Sequence, residues 1–298
     1  MRLFWLPSLF CLLLVSCAIQ PEPETPPYKP LASPAMDHVF AKPGGVDLLV
    51  DLHMPEDCTS PPPLVVYIHG GGWSGGNRKS RHMLWLVEHG YAVACIEYRM
   101  SKEAIFPAQI HDCKGAMRWL RAHEKLYGYD ASRVVVAGRS AGGHLATMMG
   151  TTSGMTSMEG DTAGFVTYSS RVQGVINYCG PQDFILRSTN QPEKTDSPGG
   201  PVFKLLGGPL KENEALGRLA SPVTHVGPGD PPVLIIHGGE DKLVLLDQSE
   251  RLHEVYQANG LDSHLHIEPG KRHGWPKPTP EEEKLVLEFL KRLLRADQ

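Results

Sequence analysis

The chain has no cluster of lysine or arginine, and its formal net charge is -4. That speaks against nucleic acid or another polyanion as partner, because such ligands are held by strongly basic surfaces. Six cysteines are present, but none stands in a CxxC or other metal-ligand spacing, so neither a structural metal site nor a dithiol redox motif is indicated. The N-terminal apolar run, Leu3 to Val15, is shorter than the roughly 20 residues needed to cross a bilayer. Nor is there an internal repeat. What is there is bulk: 298 residues, 41 % of them apolar, enough to bury one large core, and an α/β domain of about 250 residues is an ordinary size.

Arg2 ahead of the Leu3–Val15 run reads as an export signal over residues 1–16. Leu14, Val15, Ser16 and Cys17 resemble the lipobox of bacterial lipoproteins, which implies lipidation at Cys17 and a membrane contact made through that anchor alone. The plain alternative is a secretory signal with an incidental cysteine. Ala18 after Cys17 favours the outer membrane over the inner. Residues 17–35, rich in proline and glutamate, form a semi-rigid tether, and residues 36–298 the folded domain. Of the remaining cysteines, Cys58, Cys95, Cys113 and Cys179, two sit where small core residues belong: Cys95 in an apolar strand and Cys113 on the apolar stripe of a helix. Export permits a disulfide without requiring one.

The stretch that organises the rest is Arg133 to Leu145, RVVVAGRSAGGHL. Val134, Val135 and Val136 have the composition of a strand buried on both faces, Gly138 ends it, and the small residues from Ala141 open a helix. The turn between carries G-x-S-x-G around Ser140. A nucleophile at such an apex needs glycine on either side, since side chains at Gly138 and Gly142 would collide with neighbouring backbone. The helix start also aims free N–H groups, first that of Ala141, at the atom under attack. The bland reading is a glycine-rich turn in which Ser140 merely caps the helix.

A hairpin over Val46 to Leu52 on a sheet edge comes first, then a buried strand at Leu64–Ile68 that stops at His69-Gly70-Gly71-Gly72-Trp73. Consecutive glycines there let backbone N–H groups turn into a cavity unobstructed, as an oxyanion hole requires. Strands follow at Tyr91–Ile96, Val172–Cys179, Val233–Ile236 and Ser263–Ile267, and helices at Pro107–Tyr127, Leu246–Asn259 and from Pro280 onward, the last with Thr279 and Glu282 as a capping box. Gly180 to Asp230 contains no strand and is too long for a bare loop, so it reads as a helical cap with short helices at Phe203–Leu206 and Glu212–Leu219. Its apolar residues, Phe184 among them, either hold the cap down or line a pocket. Strands alternating with helices give an α/β class, a mostly parallel doubly wound sheet.

A serine hydroxyl needs a base to take its proton, and the base a carboxylate to hold its tautomer. The Ser140 turn resembles the nucleophile elbow of α/β-hydrolases, whose chain order is Ser, then Asp or Glu, then His; with ligand-facing loops leaving the carboxyl ends of parallel strands, that order directs the search to the turns after Val233–Ile236 and Ser263–Ile267. Asp241 follows the first, with Glu240 its rival. His273, flanked by glycines, follows the second, whereas His264 and His266 lie within a strand and His253 on a helix. His69 and His237 end strands and read as braces for their loops; His144 reads as packing.

HGGGW at 69–73, GRSAGG at 138–143, HGGED at 237–241 and RHG at 272–274 resemble the α/β-hydrolase esterases of the hormone-sensitive-lipase type, and within them the bacterial branch of acetyl-xylan and feruloyl esterases. The resemblance implies an α/β-hydrolase fold, Ser140, Asp241 and His273 as catalytic group, an oxyanion hole from Gly71, Gly72 and Ala141, and no metal or organic cofactor. It implies hydrolysis of short-chain acyl esters through an acyl-enzyme, acetylated carbohydrate being the substrate that suits an exported enzyme. Arg99 and Asp112 match family positions and are expected to form a structural ion pair. Two rivals stand beside this: an arylformamidase, since HGGxW also marks kynurenine formamidases, and a non-catalytic binding lipoprotein on the same scaffold.

Overall fold

Eight strands form one sheet in the order β1-β2-β4-β3-β5-β6-β7-β8. They are β1 His38–Ala41, β2 Leu48–His53, β3 Pro63–Ile68, β4 Ala92–Ile96, β5 Asp130–Arg139, β6 Gly174–Tyr178, β7 Val233–Gly238 and β8 Ser263–Glu268. The computed structural model describes residues 30, 33–56 and 58–294. The expected signal, Cys17 and most of the tether lie outside them. From β3 to β8 every pairing is parallel, while β1 and β2 run antiparallel at one edge. This is the mostly parallel sheet that the alternation of elements predicted, in the α/β-hydrolase fold that the resemblance implied.

The edge hairpin differs in detail from its expectation. Pro43–Gly45 make a 3-10 turn, and the Val46 N–H closes it on the Pro43 carbonyl, so β2 starts only at Leu48. Nor does β2 alternate buried and exposed, because Asp51 is drawn inside by Arg78, whose Nε lies 2.9 Å from Asp51 Oδ1. At β6 the strand is shorter than Val172–Cys179, running from Gly174 to Tyr178, after which Cys179 turns to φ 50°.

Period-two burial places one set of strand residues on each face. Leu64, Val66, Ile68, Val134 and Val136 face α1 (Ala108–Tyr127), α2 (Ala141–Thr151) and, after the short α3 (Thr156–Glu159), the segment between β6 and β7. Val65, Tyr67, Val135 and Ala137 face the other way, onto the C-terminal helix. Cys113, Ala116, Met117 and Leu120 of α1 are buried as its stripe predicted. The inserted segment carries four helices, α4 Phe184–Asn190, α5 Pro192–Thr195, α6 Pro201–Leu206 and α7 Glu214–Leu219, plus 3-10 turns. Phe184, Val202, Leu205 and Leu206 anchor it to the cluster that holds α2. Helices α8 (Asp247–Ala258) and α9 (Pro280–Leu294) complete the layers. At the start of α9 the Glu282 N–H donates to Thr279 Oγ1 while the Thr279 N–H reaches Glu282 Oε2, the capping box read from the sequence. Among the described residues no helix is long and apolar enough to cross a membrane.

Candidate active site

Loops from the carboxyl ends of β3, β5, β7 and β8 converge above the sheet. Ser140 stands between β5 and α2 at φ 56° and ψ −121°, a region that side-chain-bearing residues rarely occupy. The glycines around it are forced by contact. A Cβ at Gly138 would come within 2.1 Å of the Gly142 carbonyl oxygen, and one at Gly142 within 2.0 Å of that of Ile68. Ser140 N–H donates to the Tyr178 carbonyl at 2.7 Å, tying the elbow to β6.

His273 Nδ1 lies 2.6 Å from Asp241 Oδ2, and His273 Nε2 lies 2.9 Å from Ser140 Oγ. A carboxylate only accepts, so Nδ1 carries the proton and Nε2 is left with its lone pair toward the serine. The expected group, scattered over 133 residues of sequence, is therefore assembled within hydrogen-bond reach. Glu240 is exposed and takes no part, which resolves its rivalry with Asp241. Asp241 is 6 % exposed. Its Oδ1 accepts from the N–H groups of Leu243 at 2.8 Å and Val244 at 3.0 Å. Burial pushes its pKa up, but hydrogen bonds from His237, His273 and the Val244 amide outweigh that and hold the carboxyl well below the usual carboxylate range.

Around the triad the other histidines brace, as expected. His237 Nε2 sits 2.9 Å from the Val244 carbonyl and Nδ1 2.7 Å from Ser249 Oγ. His69 donates from Nδ1 to its neighbour's carbonyl, Gly70 O, at 2.8 Å, and stacks on Tyr98 at 4.6 Å. His144 does more than pack: Nε2 donates to the Ala220 carbonyl at 2.7 Å, tying α2 to the inserted segment. Its ring stacks on Phe184 and meets Trp73 edge-on. Trp73, 1 % exposed, is wedged by these two rings and so fixes the glycine loop.

Gly71 at φ 121° and Gly72 at φ 59° turn that loop toward Ser140. The amides of Gly71, Gly72 and Ala141 donate to no other group among the described residues, and all three residues line the same cavity as Ser140 and His273. That cavity, about 700 Å³, is also lined by Pro181, Arg187 and Pro201 of the insertion and by Leu243 and Val244. Sequence reasoning missed Arg187. Its only signal was an arginine three residues after Phe184 on a short helix, the spacing that puts both on one buried face.

Among the described residues, Cys179, His237 and Asp241 bring donor atoms within 4.8 Å of one another. They do not fit a metal. Both nitrogens of His237 and both oxygens of Asp241 are committed to hydrogen bonds, and burial pushes the Cys179 thiol up to about 12. Arg99 and Asp112 pair as expected: Nε and Nη2 contact the two carboxylate oxygens at 2.8 and 2.7 Å, away from the cavity.

A family model described as BD-FAE matches residues 50–256. The probable carboxylic ester hydrolase LipM of Mycobacterium tuberculosis is 32 % identical over 65 % of this chain and 44 % of its own. The chain spans about half the length of the curated relatives it matches. Among solved structures, a truncated carbohydrate esterase from gut microbiota superposes with TM-score 0.81 at 29 % identity, covering 90 % of this chain and 98 % of that one. A bifunctional GH43-CE protein of Bacteroides eggerthii gives TM-score 0.79 at 31 % identity, over 87 % of this chain and 38 % of that one.

Proposed function

Because this chain belongs to the BD-FAE family, whose matched relatives are named carboxylic ester hydrolases and esterases, we propose that it hydrolyses carboxylic esters with Ser140 as nucleophile. The observation that carries the reading is the relay Asp241–His273–Ser140 at 2.6 and 2.9 Å beside three unengaged amides. Ser140 Oγ attacks the ester carbonyl carbon as His273 Nε2 takes its proton. The carbonyl oxygen, now anionic, is held by the N–H groups of Gly71, Gly72 and Ala141. Asp241, buried and ionised, stabilises the imidazolium without taking its proton. His273 then returns the proton to the departing alcohol, leaving an acyl-serine. Water, deprotonated by the same imidazole, attacks the acyl carbon and releases the acid and free Ser140.

Short acyl groups on carbohydrate are the substrate class of this reading, its carbohydrate part supported by the likeness to a carbohydrate esterase from gut microbiota. Export and lipid attachment at Cys17 extend the reading to location, an enzyme held at the outer membrane by its lipid. A hydrolysis panel tests the chemistry: p-nitrophenyl esters of rising chain length, acetylated xylan, methyl ferulate and N-formylkynurenine, each with wild type and Ser140→Ala. Acetyl esters should be turned over fastest and Ser140→Ala should abolish it. Turnover of N-formylkynurenine above all esters would replace the esterase reading with an arylformamidase. Detergent-phase partitioning that disappears in Cys17→Ala checks the anchor.

A further inference from the structure

Three cationic side chains, Lys79, Arg139 and Arg187, line the cavity that holds Ser140, and no aspartate or glutamate lines it with them. Lys79 already has its counter-charge, with Nζ 2.8 Å from Asp37 and 3.4 Å from Asp51. Neither of the two guanidinium groups is in a salt bridge among the described residues. Arg139 gives one hydrogen bond, Nη2 to the His273 carbonyl at 3.3 Å, and lies against Gly274, where a Cβ would come within 2.0 Å of that nitrogen.

Arg187 is the sharper case. It is 2 % exposed, yet its hydrogen bonding consists of Nη2 donating to the Leu243 carbonyl at 2.9 Å, and its buried Nε has no partner. Burial pulls its pKa down to about 10, with Asp241, Asp247 and Glu193 acting the other way without contact, so it stays charged at neutral pH. Burying a cation without a counter-ion is costly, and natural folds keep such groups paired. A planar guanidinium also offers two parallel donors matched to a carboxylate. Arg187 lines the cavity that holds Ser140, so an anion bound in that cavity would stand beside it.

We propose that the substrate is an ester bearing a carboxylate, which Arg187 binds as the specificity-determining residue, with Arg139 as a second guanidinium facing the same cavity. On a carbohydrate the group would be that of a uronic acid; on the acyl part it would be that of a dicarboxylic half-ester. The inference rests on Ser140 acting as an esterase nucleophile.

Matched pairs separate the sources of the carboxylate. They are p-nitrophenyl hydrogen succinate against p-nitrophenyl methyl succinate, 4-acetoxybenzoate against its methyl ester, and an acetylated methyl glucuronoside against the acetylated methyl glucoside. At pH 7.5 the wild-type full chain should prefer the acid at least tenfold in kcat/KM in one pair, and the pair identifies the side of the ester that carries the charge. Arg187→Gln should lower that preference at least tenfold, chiefly through KM, and Arg187→Lys should restore part of it. Free succinate should inhibit wild type competitively where succinamide does not, which keeps the test alive should the variants fail to fold. Equal turnover, or a neutral preference, in all three pairs overturns the inference while leaving the esterase reading intact. So does a preference that survives Arg187→Gln while the Tm falls, since Arg187 would then only brace the Leu243 loop. Failure to hydrolyse any ester, charged or neutral, overturns the esterase reading itself.

Discussion

At Asp241 each oxygen has a separate task. Oδ1 accepts the Leu243 and Val244 amides and so positions the carboxyl, while Oδ2 orients His273. Asp241→Asn can keep the first pair of bonds but turns an N–H toward Nδ1, which favours the wrong tautomer of the imidazole. We expect kcat on p-nitrophenyl acetate to fall about 10³–10⁴-fold, with the Tm, followed by circular dichroism, little changed. Gly71 tests the oxyanion loop. Its φ of 121° suits glycine, and a Cβ there would approach the Gly75 carbonyl oxygen to 2.1 Å. Gly71→Ala therefore displaces a donor amide, and kcat should drop about 10²–10³-fold in a protein that still unfolds cooperatively. A variant with full turnover would remove Gly71 from the hole.

The elements are joined by a few buried polar and aromatic contacts. Asp112 on α1 accepts from the Arg99 amide and guanidinium and from Thr162 Oγ1, at 0 % side-chain exposure, and none of these touches the catalytic group. Asp112→Asn leaves a partly buried guanidinium without its counter-charge, which should cost about 3–5 kcal/mol in urea unfolding while the folded fraction keeps its kcat. A selective loss of kcat would make the pair functional. Phe184 on α4 stacks with His144 of the nucleophile helix and meets Trp73 of the glycine loop at 5.7 Å, so one ring ties three parts of the site together. Phe184→Ala should destabilise by about 3–5 kcal/mol, measured the same way. Because it loosens α4, which carries Arg187, it should also raise KM for the substrate that Arg187 binds.

Over the whole molecule, three histidines are buried as neutral rings: burial lowers His69, His82 and His144 to about 4. Unfolded, each would titrate near 6.5, so the unfolded chain binds more protons between these values. Stability contributed by the neutral rings is complete above pH 6.5 and is lost as pH falls toward 4. At pH 5 unfolding should take up roughly two to three protons from this source, read from the slope of unfolding free energy against pH; a flat profile from pH 7 to 4.5 would contradict it. The meeting of Ser140, Asp241 and His273, the glycine loop and the strand succession were legible from β-branched runs, from glycine where a Cβ cannot fit, and from the chain order of the family that the motifs resemble. Asp51 deceived the pattern because its burial depends on Arg78, 27 residues away. Residues 180–230 were legible as a cap of short helices over the site, but not which of their side chains line the cavity, since no period says where an insertion comes to rest. By itself the sequence determined the fold class and which serine, aspartate and histidine could meet, because strand order and steric need are local. Only the tertiary structure decided that Arg187 is buried without a carboxylate in the wall beside Ser140, because which charges go unpaired depends on every neighbour that packing brings near.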